Sequence, residues 1–199
     1  MFHYLALGDS YTIGEQVLFQ ENFPNQLVRQ MREKGHSFAA PEILAKTGWT
    51  TDELQNGIDR HLFLPDYDFV SLLIGVNNQY RGRSEDEYRK DFEHLLHQAL
   101  RFAGGKKERV LVLSIPDWGV TPFAANADRN KIRTEIDAFN RTNRQITEVA
   151  GIPYLYITDF TREAANDSAL LASDGLHPSA KEYQRWASRI LVLWEAQLL

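Results

Sequence analysis

The sequence alternates short apolar runs with longer amphipathic segments, and this order limits the possible folds more than any other feature. Five runs rich in β-forming residues are predicted as strands, at residues 4–7, 42–45, 69–74, 110–115 and 154–157. The segments between them are long enough to hold the helices that connect parallel strands. The alternation therefore predicts an α/β fold, a three-layer α/β/α sandwich with a five-stranded, mostly parallel sheet.

The helices are predicted from apolar residues that recur with a period near 3.6. Phe23, Leu27 and Met31 mark one helix, and others are predicted at residues 84–103, 128–150 and 179–199. Trp186 and Trp194 lie on the apolar face of the last helix and are predicted to be core residues. The chain has 199 residues, 43% of them hydrophobic, so we expect a single domain over residues 1–199.

Composition excludes several functional classes. The chain has no cysteine, so a disulfide, a thiol nucleophile and a cysteine metal site are excluded. The net charge of −5 and the lack of a Lys/Arg block predict that nucleic acid is not a partner. The sequence has neither an apolar run of membrane-spanning length nor the features of a signal peptide, so we expect a cytoplasmic protein without membrane insertion.

Candidate site residues follow three of the predicted strands. In open parallel sheets, ligands bind beyond the carboxyl ends of the strands. Ser10 in "GDS" follows the first strand, Gly48 in "AKTGWT" the second and Asn77 in "GVNN" the third. Taken alone, each piece fits an ordinary turn better than a catalytic role.

A fourth candidate segment, "DGLH", places Asp174 three residues before His177, just ahead of the last predicted helix. Pro178 disfavours helical backbone angles at His177, so the imidazole is expected to project from a loop. Taken alone, this segment fits a turn followed by a surface histidine.

Together the four segments resemble the GDSL, or SGNH, hydrolase family, and the match extends in order over nearly the whole chain. The residues that carry the resemblance are Ser10, Gly48, Asn77, Asp174 and His177. It implies a flavodoxin-like hydrolase fold and a serine esterase, lipase or acylhydrolase. Asn78 stands where the family pattern usually has aspartate; an amide keeps hydrogen bonds but not the negative charge, so the effect of this difference is open.

The chemistry of these residue types suits ester hydrolysis. A serine hydroxyl needs a neighbouring base, which we predict to be His177, with Asp174 orienting the imidazole. The resemblance implies that the N–H groups of Ser10 and Gly48 and the side-chain amide of Asn77 form the oxyanion hole. This mechanism requires no metal and no organic cofactor.

The expected partner is a small-molecule ester. A chain of this size without a lid insertion predicts an open cleft and short acyl esters, while carbohydrate deacetylase, lysophospholipase and thioesterase activities stay open, as does the oligomeric state. A noncatalytic member that binds an ester or glycan is the alternative. Four aromatic residues at the same edge are candidates for lining the pocket or for anchoring loops: Trp49, Tyr80, Trp118 and Phe123.

One further group could in principle hold a metal ion, namely His94 and His97 with Asp91 nearby on a predicted helix. An exposed polar helix face explains these residues better, because their spacing is not that of a zinc protease motif.

Overall fold

A sheet of five strands forms the centre of the computed structural model, which describes residues 1–198. The strands are β1 (Tyr4–Asp9), β2 (Glu42–Lys46), β3 (Phe69–Leu73), β4 (Val110–Leu113) and β5 (Tyr154–Leu155). Neighbouring strands pair in parallel, in the order β2-β1-β3-β4-β5. From β1 the chain passes to β2 on one side, and from β2 it crosses to β3 on the other side of β1. The order of the strands thus reverses between β1 and β3, and in such sheets a ligand site is expected in the crevice beyond these two strands.

The predicted five-stranded α/β fold is confirmed, and every strand pairing in the sheet is parallel. The last strand is shorter than predicted, because the hydroxyl of Ser114 accepts the backbone N–H groups of Ile157 and Thr158 at 2.8 and 3.1 Å. These N–H groups therefore bond to a side chain instead of extending the ladder. β4 ends before Ile115 for a related reason, since the N–H of Ile115 donates to Asn140 Oδ1 at 2.8 Å.

Helices cover the sheet. They are α1 (Ser10–Ile13), α2 (Phe23–Glu33), α3 (Thr51–Ile58), α4 (Val76–Tyr80), α5 (Glu85–Phe102), α6 (Arg129–Val149), α7 (Thr158–Glu163) and α8 (Ala180–Glu195). α2 packs against α8, while α5 packs against α3 and α6. The predicted helix 179–199 ends at Glu195, and Leu199 lies outside the described residues.

The core lies between the sheet and these helices. Trp186 and Trp194 of α8 are 0% and 1% exposed, which confirms their prediction as core residues. The Trp194 ring contacts Tyr4 of β1 and Phe69 of β3, with centroid distances of 5.0 and 4.6 Å. Among residues 1–198, no helix combines the length and apolar character that a membrane crossing requires.

Candidate active site

Ser10 lies where β1 ends and the four-residue helix α1 begins. Asp9 caps this helix, because its Oδ1 accepts the backbone N–H of Tyr11 at 3.0 Å. Gly14 ends the helix in the left-handed conformation, with a φ of 78°. Ser10 therefore begins a single helical turn that is capped at both ends, and this turn fixes the serine at the carboxyl edge of the sheet.

His177 and Asp174 lie in the loop before α8. Oδ1 of Asp174 accepts the backbone N–H groups of Leu176 and His177, both at 3.0 Å. Its second oxygen, Oδ2, lies 2.6 Å from Nδ1 of His177. Nε2 of the same ring lies 3.0 Å from Oγ of Ser10, a residue 167 positions away in the chain. The loop thus holds an imidazole between a carboxylate and a hydroxyl.

The electrostatics of this loop favour an ionised carboxylate. Partial burial of Asp174 disfavours its charge, but hydrogen bonds from the His177 ring and from two backbone N–H groups outweigh that effect and lower the pKa of the carboxyl. A carboxylate at Nδ1 favours the tautomer with its hydrogen on that atom. Nε2 is then free to accept the hydroxyl hydrogen of Ser10.

Gly48 and Asn77 lie at the same edge, one after β2 and the other in α4. Gly48 has a φ of 82°, a conformation that favours glycine. A Cβ there would meet only the Arg81 guanidinium, at 3.5 Å, so backbone conformation and not crowding by the protein accounts for the glycine. The Asn77 amide donates to the Trp49 carbonyl oxygen at 3.0 Å and to Asp9 Oδ2 at 3.4 Å. These two acceptors fix the orientation of the amide.

Asp9, directly before Ser10, is a fully buried carboxyl. Burial raises its pKa to about 7, and the hydrogen bonds from the Tyr11 N–H and the Asn77 amide offset this only in part. The protonation state of Asp9 therefore changes near neutral pH.

Asn78 is fully buried and belongs to a hydrogen-bond network that joins α4 to α3. Its Oδ1 accepts the N–H of Thr51 at 3.1 Å, and its Nδ2 lies 2.7 Å from the hydroxyl oxygen of Thr51. That hydroxyl donates its hydrogen to Asp91 at 2.8 Å. A carboxylate at position 78 could accept the N–H but could not donate to the hydroxyl, and it would add a buried charge. The amide thus satisfies a network that aspartate would leave incomplete.

A cleft of about 150 Å³ opens beside Ser10 and is shared by most of the predicted site residues. Its lining includes Ser10, Gly48, Asn77, His177, Tyr80, Trp118 and Phe123. The three aromatic rings contact one another, with centroid distances of 5.2 to 6.2 Å. The cleft therefore has a polar end at the serine and an aromatic wall.

Trp49 lies outside this cleft, which corrects its prediction as a pocket residue. Its indole packs over Gly57, where an added Cβ would come within 2.5 Å of the ring. The side chain borders a separate depression with Lys46 and Arg60. Only the carbonyl of Trp49 reaches the site, as the acceptor for Asn77. Of the two roles considered for Trp49, the geometry fits the loop anchor.

Several residues that build the cleft are not among the predicted site residues. Tyr11, Thr47 and Leu176 line it, and each is adjacent in sequence to a predicted site residue, so adjacency was a usable signal. Gln79 is also adjacent to a predicted site residue, Tyr80, but its partner could not be predicted: its Oε1 accepts the indole N–H of Trp118 at 2.7 Å, a contact across 39 positions. This hydrogen bond fixes one ring of the aromatic wall.

The residues considered for a metal site make other contacts. Asp91 accepts the Thr51 hydroxyl, and Nε2 of His94 lies 3.5 Å from the Gln98 amide. Within residues 1–198, no group of three or more histidine, aspartate or glutamate side chains is arranged to hold a metal ion.

The parallel sheet, with serine, histidine and carboxylate beyond its strand ends, is the arrangement expected of an α/β serine hydrolase. The family model described as the GDSL-like lipase/acylhydrolase family matches residues 6–185. The chain belongs to this family of ester hydrolases, which confirms the resemblance that its motifs indicated.

Solved structures show the same fold at low sequence identity. The lipase/acylhydrolase from Enterococcus faecalis is 18% identical, with a TM-score of 0.75 over 98% of this chain and 95% of that one. The esterase EstA from Pseudoalteromonas sp. is 17% identical, with a TM-score of 0.75 over 100% and 99% of the two chains. Axe2, an acetylxylan esterase from Geobacillus stearothermophilus, is 18% identical, with a TM-score of 0.75 over 96% and 93%. No curated protein is similar enough in sequence to count as a match.

The buried carboxyl of Asp9 leads to a prediction about stability and pH. Its pKa of about 7 in the folded state lies above the value of about 3.9 expected when it is unfolded. The folded state therefore binds this proton more tightly, so its contribution to stability is complete below about pH 4 and is lost as the pH rises through about 7. Relative to Asp9→Asn, the free energy of unfolding of the wild type should decline by a few kcal/mol over this range.

Urea unfolding of both proteins at intervals from pH 4 to pH 8 measures this difference. Asp66→Asn removes a negative charge at an exposed position and controls for the change in net charge. A difference between wild type and Asp9→Asn that stays constant across the range would contradict the prediction.

Proposed function

We propose that this protein hydrolyses carboxylic esters through an acyl-enzyme intermediate on Ser10, with His177 and Asp174 assisting, and that residues 1–199 act as one hydrolase domain. The observation that carries the proposal is the continuous series of short contacts from Asp174 to His177, at 2.6 Å, and on to Ser10, at 3.0 Å. Membership of the GDSL-like lipase/acylhydrolase family supports the reaction class.

In the first half-reaction, Oγ of Ser10 attacks the carbonyl carbon of the ester while Nε2 of His177 takes the hydroxyl proton. The carbonyl electrons move onto its oxygen, which gives a tetrahedral intermediate with an oxyanion. Asp174 stabilises the imidazolium through Nδ1–H. The intermediate collapses when the ester C–O bond breaks, and His177 gives its proton to the departing alcohol oxygen.

The second half-reaction uses the same groups. Water attacks the acyl carbon, and His177 accepts a proton from it. The bond between Ser10 and the acyl group breaks, and the imidazolium returns a proton to the serine oxygen. The products are the carboxylic acid and the free enzyme.

We assign the oxyanion to the N–H groups of Ser10 and Gly48 and to the side-chain amide of Asn77. Ser10 is the first residue of α1, where an N–H has no intrahelical acceptor, and no hydrogen bond in the described part of the chain uses the N–H of Gly48. The Asn77 amide has two hydrogens, and its contact with Asp9 at 3.4 Å is weaker than that with Trp49 at 3.0 Å. The oxyanion therefore replaces Asp9 as the acceptor of one hydrogen.

The substrate class we propose is esters of short acyl chains. The cleft volume of about 150 Å³ is small compared with the roughly 300–1,000 Å³ of pockets that enclose drug-sized ligands. Its wall of Tyr80, Trp118 and Phe123 is apolar and suits a small hydrocarbon group. The alternative, binding of an ester or glycan without turnover, would be favoured by loss of the hydroxyl, the imidazole or the amide, and this chain has all three, in Ser10, His177 and Asn77.

Removal of the nucleophile or the base should abolish turnover. We expect Ser10→Ala and His177→Ala each to lower kcat for p-nitrophenyl acetate by a factor of at least about 1,000. Ser10 begins α1 and His177 lies in a loop, and neither belongs to the apolar core, so circular dichroism should show a folded protein. Ser173→Ala, which removes an exposed hydroxyl from the loop that carries Asp174, is the matched control. Wild-type activity in either variant would refute the assignment.

Asn77 and Asn78 allow a paired test of the oxyanion assignment. Asn77→Ala should lower kcat about 100-fold, since it removes a donor that acts in the transition state. Asn78→Ala should act mainly on stability. It should lower the free energy of unfolding by about 1–3 kcal/mol, because the buried N–H of Thr51 loses its acceptor, Oδ1 of Asn78. Steady-state kinetics and urea unfolding of both variants separate the two roles. The reverse pattern, with kcat lost mainly in Asn78→Ala, would contradict them.

A further inference from the structure

A second, smaller cavity of about 10 Å³ lies next to the substrate cleft. This volume is about the space that one water molecule occupies. Most of its lining is apolar and comes from the segments around β4, α7 and the start of α8. The residues that line this inner cavity and not the cleft include Pro116, Thr161, Ala164, Leu170, Leu171 and Pro178.

Three side chains line both the cleft and the inner cavity, namely Tyr11, Trp118 and Leu176. They therefore form the partition between the two spaces. Trp118 is the largest of the three and is only 7% exposed. On the cleft side its indole contacts the Tyr80 ring at 5.2 Å and the Phe123 ring at 6.0 Å. The indole is therefore the largest part of the partition between the cleft and the inner cavity.

The position of Trp118 is fixed by one hydrogen bond of its indole and one of its backbone. Its Nε1 donates to Gln79 Oε1 at 2.7 Å, and the amide of Gln79 in turn donates to Glu135 at 2.8 Å. The backbone beside it is fixed as well, since the Trp118 carbonyl accepts the hydroxyl of Thr121 at 2.7 Å. A ring with these constraints is a fixed wall of the cleft.

We propose that Trp118 is a specificity-determining residue that closes the inner end of the cleft and restricts the acyl group to short chains. This inference rests on the proposed esterase function. The alcohol leaves first and must reach solvent while the acyl group is still bound to Ser10, so its path is the open mouth. The acyl group is therefore the part of the ester that faces the partition.

The test is the acyl-chain preference of full-length variants, measured as the ratio of kcat/KM for p-nitrophenyl octanoate to that for p-nitrophenyl acetate. Trp118→Ala should raise this ratio at least tenfold, because the added methylene groups gain an apolar space. Trp49→Ala is the matched control: Trp49 is a tryptophan whose indole borders neither the cleft nor the inner cavity, and the ratio should change less than threefold.

A reversal experiment identifies the space that the acyl chain enters. Ala164 lines only the inner cavity, so Ala164→Leu added to Trp118→Ala should fill that cavity and return the ratio towards the wild-type value. Where Trp118→Ala does not fold, Leu176→Ala opens the same partition and keeps the backbone N–H that binds Asp174. An unchanged ratio in the folded partition variant, or an equal rise in Trp49→Ala, would overturn the proposal.

Octanoate binding tests the role of Trp118 without requiring that the protein hydrolyse an ester. Calorimetry on Ser10→Ala and on Ser10→Ala/Trp118→Ala should show at least tenfold tighter octanoate binding by the double variant. A wild type that hydrolyses none of the esters would overturn the proposed function, while this gain in affinity would still support the role of Trp118. No gain in affinity would overturn the role of Trp118 whatever the activity.

Discussion

The hydrogen bond between Ser10 and His177 is the interaction on which the candidate site depends. It joins residues 167 positions apart, one directly after β1 and the other in the loop before α8. The two ends of the chain can meet in this way because parallel strands bring their carboxyl ends to one edge of the sheet. Asp174 adds a local constraint, since one carboxylate holds both the backbone and the ring of His177.

Buried polar groups around this hydrogen bond are held by partners from other elements. The Asn77 amide is oriented by the Trp49 carbonyl and by Asp9, and Asn78 binds both the N–H and the hydroxyl of Thr51. Each contact ties one strand-end segment to another. In the proposed mechanism the Asn77 amide keeps its bond to Trp49 and exchanges Asp9 for the oxyanion. Donors whose orientation is fixed need little reorganisation when charge develops on a carbonyl oxygen, and such preorganisation is usually the largest contribution to catalysis.

Strand and helix positions could be predicted because buried parallel strands are nearly continuous apolar runs and the covering helices keep a period near 3.6. Ser10, Gly48 and Asn77 could be proposed as site residues because they follow strand ends. Asp174 and His177 could be proposed because their segment matches the family pattern ahead of the last helix. Contacts set by tertiary packing could not. The hydrogen bond from Trp118 to Gln79 has no local signal, and an aromatic residue after a strand, such as Trp49, does not show which side of the loop its ring will occupy. The early end of β5 depends on the Ser114 hydroxyl, 43 positions from Ile157.

The most direct measurement of the central claim is covalent labelling of the intact protein with diethyl p-nitrophenyl phosphate. Attack by an activated serine forms an O–P bond and releases p-nitrophenolate, so both the rate and the modified residue can be measured. We predict one adduct per chain, located on Ser10 by peptide mass mapping, with a rate at least about 100-fold lower in His177→Gln. An adduct on a different residue, or the same rate in His177→Gln, would contradict the account.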